Sequence, residues 1–142
     1  MKYLLYFFLS FALLIRCNSG PSEQEQKQEF ENEVMRVHNE SMAKMGTIYR
    51  LRLNLRKLRD TLETQTTDTS VTNLLSQQIK GLNQADEAMM GWMHQYKAPD
   101  TLQHQLAMQY LQEQLNLINQ VKLKMDSTID VAQTTYRQYE QN

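Results

Sequence analysis

Apolar residues recur every three or four positions along three stretches of the chain, the spacing that places side chains on one face of an α-helix. The first stretch carries Ile48, Leu51, Leu55, Leu58 and Leu62. The second carries the stripe Leu75, Ile79, Leu82, Asp86, Met89, Met93 and Tyr96, and the third Leu111, Leu115, Ile118, Lys122, Met125, Ile129, Ala132, Tyr136 and Tyr139. A strand-like alternation over residues 49–55 competes with the first stripe, but the helical pattern continues on both sides of it.

This pattern predicts three helices, over about 23–63, 71–97 and 101–139. The polar run 65–70 separates the first two, because its threonine and serine side chains bond to their own backbone. Pro99 ends the second helix, since the residue before a proline is pushed away from helical geometry. Asp100 followed by Gln103 is typical of a capping box at the start of the third. We therefore predict an all-α fold, an antiparallel up-down-up three-helix bundle or coiled coil.

Short connections between antiparallel helices also predict which residues face each other. Facing residues should have numbers that sum to about 135 around the first connection and about 198 around the second. The expected pairs are Met42 with Met93, Met45 with Met90, Met90 with Met108, His38 with Lys97 and His94 with His104. Gly46 and Gly91 also come near the same level, which predicts a close approach of the two backbones.

The end of the bundle that gathers methionine and histidine has two interpretations. Thioether and imidazole groups suit Cu(I), and the candidate ligands are His38, Met42, Met45, Met90 and His94. The other interpretation is packing, because methionine fills irregular gaps in cores and no compact ligand motif is present. It takes Met89, Trp92, Met93, Tyr96 and Asp86 as an interaction or core cluster. We expect no cofactor, with Cu(I) as the alternative.

Asp86 falls on the apolar stripe of the second helix, where an unpaired carboxylate is costly. Either it points inward and hydrogen-bonds to His38, Tyr49 or Trp92, or Ala85 is buried in its place and Asp86 lies on the flank. The pattern alone leaves both alternatives open.

The first 16 residues have the pattern of a secretory signal peptide, in which Lys2 is followed by a nearly unbroken apolar run over 3–15. The run is shorter than the roughly 20 residues that a helix needs to span a bilayer. Cys17, the only cysteine, follows directly and resembles the lipobox of bacterial lipoproteins, although Arg16 stands where that pattern has a small residue. The resemblance implies a diacylglyceryl group on Cys17. The alternative is an ordinary signal peptide that ends before a free cysteine.

Residues 17–28 are polar and include Gly20 and Pro21, so we predict a flexible tether there and a folded domain over 29–142. Asn18 stands where the inner-membrane retention signal of lipoproteins has aspartate, which implies the outer membrane of a Gram-negative-type bacterium, on the periplasmic side. Without residues 1–16 the chain has 13 basic and 16 acidic side chains, a net charge of −3. This balance gives no electrostatic case for a nucleic-acid partner.

The remaining motifs point away from catalysis. The basic run over 50–59 reads as a solvated helix face, with Asp60 and Glu63 nearby for pairing. The sequence has no HExxH motif, no glycine-rich phosphate loop and no Ser/His/Asp order typical of hydrolases. We therefore expect that the protein is not an enzyme.

Two segments resemble a group of small helical bacterial lipoproteins, some of which carry the label "viral A-type inclusion protein". The matching residues are Glu33-Val34-Met35, His38-Asn39-Glu40, Met42, Lys44-Met45-Gly46, Asp86-Glu87-Ala88-Met89-Met90, Trp92-Met93 and Tyr96. The resemblance implies a lipoprotein with no established activity. We expect a helical interaction or scaffolding module that binds an envelope protein, with Cu(I) or Ag(I) binding as the alternative and a periplasmic holdase as a weaker one. The partner and the oligomeric state stay open.

Overall fold

The computed structural model describes residues 20–65 and 69–140. The helices in these ranges are α1 (Glu23–Met42), α2 (Met45–Gln65), α3 (Ser70–Gln95) and α4 (His104–Glu140). α1 and α2 are joined by a two-residue turn. The α1–α2 pair packs against both α3 and α4, and α3 packs against α4. The prediction of an all-α fold with three packed helices is confirmed. The predicted signal peptide and Cys17 lie outside the described residues.

α1 begins with a capping box at Ser22. The Ser22 hydroxyl accepts a hydrogen bond from the backbone N–H of Glu25 at 3.2 Å, and the Glu25 carboxylate accepts one from the Ser22 N–H at 2.7 Å. These bonds occupy donors that a helix start leaves free. The helix therefore starts at Glu23, as predicted, and the last residues of the predicted tether, 23–28, are helical. Lys27 in this segment is buried.

The single helix predicted over 23–63 is interrupted at residues 43–44. The buried Ser41 hydroxyl donates to the carbonyl of Val37 at 2.8 Å. Serine back-bonding of this kind bends helices. The Lys44 N–H then donates to the Ser41 carbonyl, three residues back, at 3.0 Å, which tightens the turn before α2 begins. Ala43 keeps right-handed helical angles, so the chain continues in the same general direction.

The apolar stripes supply the core, with one local change in α3. Ala85 is buried where the stripe had Asp86, and Trp92 is buried where it had Met93. Residues 82, 85, 89 and 92 are also spaced by three and four, so both versions satisfy the helical period. From the other helices, the predicted residues that are buried are Ile48, Leu51, Leu55, Leu111, Ile118, Met125, Ile129 and Ala132.

The register between α2 and α3 agrees with the prediction. The Arg52 guanidinium donates to the side-chain oxygen of Asn83 at 2.9 Å, and these residue numbers sum to 135. Toward α1 the facing residues lie a few positions earlier in α3. The rings of His38 and Trp92 are 5.4 Å apart, so the prediction that His38 comes level with Lys97 was wrong.

The register predicted between α3 and α4 was wrong. It placed Tyr96 level with residue 102, whereas the rings of Tyr96 and Tyr110 are 6.2 Å apart. At the other end of α3, a Cβ on Gly81 would lie 3.3 Å from Thr128. The expected pairs Met90–Met108 and His94–His104 are therefore not at one level.

The connection between α3 and α4 explains this change. The predicted capping box at Asp100 does not start a helix, and α4 begins at His104. Tyr96 is already extended, and the next residues continue without helical structure past the buried Pro99. α4 begins six residues before Tyr110, whose ring lies against that of Tyr96, so the connection carries the chain beyond the end of α3 before α4 turns back.

Candidate functional site

Four rings from α1, α3 and α4 form a cluster where α3 ends. In this aromatic cluster, Trp92 lies 4.9 Å from Tyr96 and 5.4 Å from His38, between ring centroids. Tyr110 of α4 continues the row at 6.2 Å from Tyr96. Such pairs contribute about 0.5–1.5 kcal/mol each beyond the burial of their surface. The cluster therefore fixes the end of α3 against both α1 and α4.

Hydrogen bonds hold the polar ends of the two tyrosines. The Tyr96 hydroxyl donates to the Glu31 carboxylate at 3.1 Å, and the Tyr110 hydroxyl accepts from the backbone N–H of Lys97 at 2.9 Å. Burial, followed by the negative charge of Glu31, raises the pKa of Tyr96 well above its usual value. The phenol therefore stays neutral and remains a donor across the physiological pH range.

Two buried ring nitrogens lack a hydrogen-bond partner within residues 20–65 and 69–140. They are Nε1 of Trp92, the central ring of the aromatic cluster, and Nδ1 of His104 at the start of α4, and both are buried. A buried polar group without a partner costs about 1–3 kcal/mol, so few are retained in native proteins. Trp92 also lines a groove of ≈ 390 Å³ between α3 and α4.

Asp86 lies on the flank of α3 and joins it to α2. Its carboxylate accepts a hydrogen bond from Arg52 at 2.9 Å, while Ala85 is fully buried. The alternative with a buried alanine and a flanking aspartate is therefore the one observed. Arg52 binds Asp86 and Asn83 together, so one guanidinium spans two successive turns of α3.

In the basic run over 50–59, Arg59 forms ion pairs with acidic residues that follow it closely in the sequence. The Arg59 guanidinium lies 2.8 Å from the carboxylate of Asp60 and 3.5 Å from that of Glu63. The prediction that these two acids pair with the run is confirmed. Exposed pairs of this kind contribute little to stability, at most about 1 kcal/mol.

A second polar contact lies where the chain turns from α1 to α2. Lys44, in the turn, and Lys122 both donate to the carboxylate of Asp126 in α4, the latter at 2.8 Å. Burial alone would raise the pKa of Asp126, but the two lysines outweigh it and hold the pKa below its usual value. The same hydrogen bond raises the pKa of Lys122. This group fixes the turn to α4.

The five predicted metal ligands occupy different environments. His38 contacts Trp92 and, through Nδ1, the side chain of Asn39 at 3.0 Å. Met42 and Met45 are half-buried against the core, whereas Met90 and His94 are exposed. Within 20–65 and 69–140, no three His, Cys, Asp or Glu side chains are grouped to hold a metal ion. A soft-metal site would also use methionine sulfur as a ligand, so soft-metal binding stays a prediction.

The exposed methionines mark one side of the α2–α3 pair. Met90 is 40% exposed and Met93 is 37% exposed. The register set by Arg52 and Asn83 places Met45 of α2 level with Met90. Met42, at the end of α1, precedes Met45 by three residues, and both are half-buried. We call this surface, Met42, Met45, Met90 and Met93, the methionine face. The exposed ring of Tyr49 follows Met45 by one turn of α2.

The predicted close approach of two glycines was wrong. A Cβ built on Gly91 would meet no atom within 4 Å, and one on Gly46 would meet only the side chain of Arg50, at 3.5 Å. Gly91 instead lines the groove between α3 and α4, together with Leu117 and Val121 of α4. The absence of a side chain therefore opens a surface groove and does not seat a second backbone.

Sequence reasoning missed three contributors to the aromatic cluster and its surroundings: Glu31, Tyr110 and the pairing of His38 with Trp92. A correct start for α4 would have found Tyr110, because it moves that helix along α3 by about two turns. Glu31 gave no signal, since one glutamate on a glutamate-rich helix is unremarkable.

Comparisons of the chain with known protein families, with curated proteins and with solved structures find no match in any of the three. Within the part of the chain that the structure describes, no helix has both the length and the apolar character needed to cross a bilayer. The resemblance to small helical lipoproteins stays a prediction.

Proposed function

We propose that this protein is a lipid-anchored interaction module of the bacterial cell envelope that binds an apolar segment of a partner protein through the methionine face. The observation that carries the proposal is the exposure of Met90 and Met93, at about the level of the half-buried Met45. Methionine is flexible and polarisable, and it is over-represented at surfaces that adapt to their partners. The aromatic cluster and the Arg52–Asp86 contact hold the helices that present these side chains.

The anchor in this proposal is a diacylglyceryl group on Cys17, by resemblance to the lipobox. One lipid group with its acyl chains would hold the domain at a membrane surface, because each buried methylene contributes about 0.8 kcal/mol. The proposed address is the periplasmic side of the outer membrane. We also propose that the helices form an up-down-up coiled coil attached to the membrane through this anchor.

The anchor is tested with Cys17→Ser in the full-length chain. We expect the unmodified protein in the membrane fraction, with a mass increased by the lipid, and the variant in the soluble periplasmic fraction without that increase. Equal fractionation of both chains, or a mature mass without lipid, would rule out the anchor and leave the methionine face to be judged separately.

The methionine face is tested by placing a photo-cross-linking amino acid at position 93 of the lipidated chain in cells. Position 123 of α4 is the matched control, because Leu123 is also apolar and exposed. We expect a discrete adduct from position 93, lost when Met90→Lys is added, and none from position 123. Equal adducts at both positions, or none at either, would contradict the proposal, and a broad mixture of adducts at 93 would favour the holdase instead.

A further inference from the structure

One flank of α4 carries a second pattern of three and four spacing, of which only Tyr110 packs against the core. Its members are Leu106, Tyr110, Glu113, Leu117, Gln120, Lys124, Ser127 and Val131. Leu106, Leu117 and Val131 are each about half exposed, although they are large and apolar. The stripe extends over 25 residues, or about 38 Å of helix. We call it the α4 stripe, and it is separate from the methionine face.

The α4 stripe is complementary to itself when a second copy lies antiparallel to it. In antiparallel helix pairs, a residue near the start of one stripe faces a residue near the end of the other. If Leu106 faces Val131 of the second copy, the same register places Glu113 opposite Lys124 and Leu117 opposite Gln120. Apolar side chains then meet at both ends, and opposite charges meet between them.

The charges needed for this arrangement are unused in the single chain. Within residues 20–65 and 69–140, neither Glu113 nor Lys124 forms an ion pair, and both side chains are exposed. A two-fold axis would make the Glu113–Lys124 contact twice, because each copy contributes both residues. By contrast, a parallel pair would place Glu113 opposite Glu113, and like charges destabilise an interface.

The groove between α3 and α4 lies at the middle of the α4 stripe. Leu117, Gln120 and Lys124 line it from α4, and Gly91 lines it from α3, where a Cβ would meet nothing. In the antiparallel register, Leu117 of the second copy comes level with Gln120 and therefore with this groove. An apolar side chain in a pocket at the centre of an interface is the usual location of a binding hot spot.

We propose that the α4 stripe is a homodimer interface, in which two copies of this chain pair antiparallel along α4 with their axis between Leu117 and Gln120. The occupant of the groove is a second copy of this chain, because the order of charges and apolar residues along α4 fits its own reverse. Three apolar positions among eight predict a weak dimer, below the size of a standard stable interface of roughly 800 Å² per partner.

Inter-copy disulfide formation tests the register in the full-length chain, in the membranes of cells that express it. The double variant Glu113→Cys with Lys124→Cys places thiols that meet only across the two-fold axis, since within one helix they are about 16 Å apart. The double variant Gln112→Cys with Leu123→Cys has the same spacing and exposed positions on another side of α4. The unmodified chain measures the background from Cys17.

We expect a disulfide-linked dimer from the first double variant on mild oxidation, at least about tenfold above the second and above the unmodified chain. A dimer yield equal in the two double variants, or no dimer in either, would overturn the proposal. An adduct with a different protein in place of the dimer would also overturn it, because the stripe would then serve another partner.

Charge reversal provides an independent measurement that does not depend on cysteine. In sedimentation velocity of the detergent-solubilised full-length chain, Glu113→Lys should weaken association roughly tenfold, since both symmetric contacts become repulsive. Adding Lys124→Glu should restore it, because the two charges are then exchanged. If the double reversal associates no better than the single one, the antiparallel register is wrong. Leu123→Asp on the other side of α4 should leave association unchanged.

Discussion

Tyr96 is the C-cap of α3 and contacts both α1 and α4. Its ring is stacked on Trp92, and its hydroxyl donates to Glu31 of α1. Burial and the charge of Glu31 raise its pKa, so the folded chain favours the neutral phenol. A single side chain thus contributes packing, a hydrogen bond between helices and a dependence of stability on alkaline pH.

Tyr96→Phe should lower the free energy of unfolding by about 1 kcal/mol at pH 7, because it removes the hydrogen bond and keeps the ring. The raised pKa means that the contribution of Tyr96 is fully present below the unfolded pKa of about 10 and is lost as the pH rises further. Urea titrations between pH 8 and 11, followed by the fluorescence of Trp92, should therefore show a smaller alkaline loss in the variant. Parallel pH curves for both chains would contradict this.

Arg52 and Asp86 form the most shielded ion pair between helices in the described part of the chain, with side chains 18% and 27% exposed. A double-mutant cycle with Arg52→Ala and Asp86→Ala should give a coupling energy of about 1 kcal/mol in urea unfolding at pH 7. The same cycle on Arg59 and Glu63, which is a more exposed pair, is the control and should give about half of this or less. Equal coupling in both cycles would mean that shielding adds nothing at Asp86.

At this scale the period of a helix could predict a face but could not choose between neighbouring residues. Ala85 and Asp86 both satisfy the three and four spacing, and so do Trp92 and Met93. The choice depends on Arg52 reaching Asp86 from another helix, which is a tertiary contact. The chemistry of the side chains, a carboxylate beside a small apolar residue, nevertheless put the observed arrangement among the two alternatives.

Among the elements, α3 is weakened at two points by glycine in its interior. Gly91 has open space around its missing Cβ, whereas a Cβ on Gly81 would lie 3.3 Å from Cγ2 of Thr128. Replacing either glycine by alanine therefore changes helix propensity by the same amount, but the new methyl group meets different surroundings.

Gly91→Ala should stabilise the protein by roughly 0.5–1 kcal/mol, because alanine has less backbone entropy to lose and its methyl group meets no other atom. Gly81→Ala should gain less, since the Thr128 side chain must move by a few tenths of an ångström. Thermal or urea unfolding of the two variants measures the difference. A loss of stability in Gly91→Ala would restore the idea of a close backbone approach at this position.

The elements themselves were largely predictable, and of their relative positions only the register between α2 and α3 was. Apolar spacing located the helices and placed the start of α1 near Glu23, although the capping box of Ser22 and Glu25 that starts it was not recognised. The start of α4 was missed because Asp100 and Gln103 have the residue types of a capping box, while the chain after Tyr96 stays non-helical past the buried Pro99. That error moved α4 along α3, so it also misplaced Met108 and His104 relative to α3.

In the whole molecule, the three rods do not end at one level. Tyr96 leaves α3 beside Glu31 and Tyr110, so the first turns of α1 and α4 extend beyond α3. There α1 and α4 lie beside each other, with Phe30 near Met108, beyond the end of α3. Local stability should be lowest where a helix has the fewest packed neighbours.

Hydrogen exchange followed by mass spectrometry should show this gradient. We expect peptides from 23–30 and 104–109 to exchange at least about tenfold faster than peptides from 48–55 and 75–82, which lie where three helices pack. Because all these segments are helical, the difference reports tertiary packing and not secondary structure. Uniform protection along α1 and α4 would show that their first turns are as stable as the segments that pack against two other helices.

The Ser41 hydroxyl, bonded to the carbonyl of Val37, lies just before the interruption at residues 43–44. Because of that interruption α1 and α2 need not share an axis, and each can follow the curvature of the helices beside it. Lys44 ties this joint to Asp126, so the point at which the chain can change direction is held against α4. Any angle between the two helices displaces the start of α1 in proportion to its distance from the joint, and α1 is about 30 Å long. The hydroxyl of one buried serine therefore bears on where the N-terminal end of the domain lies.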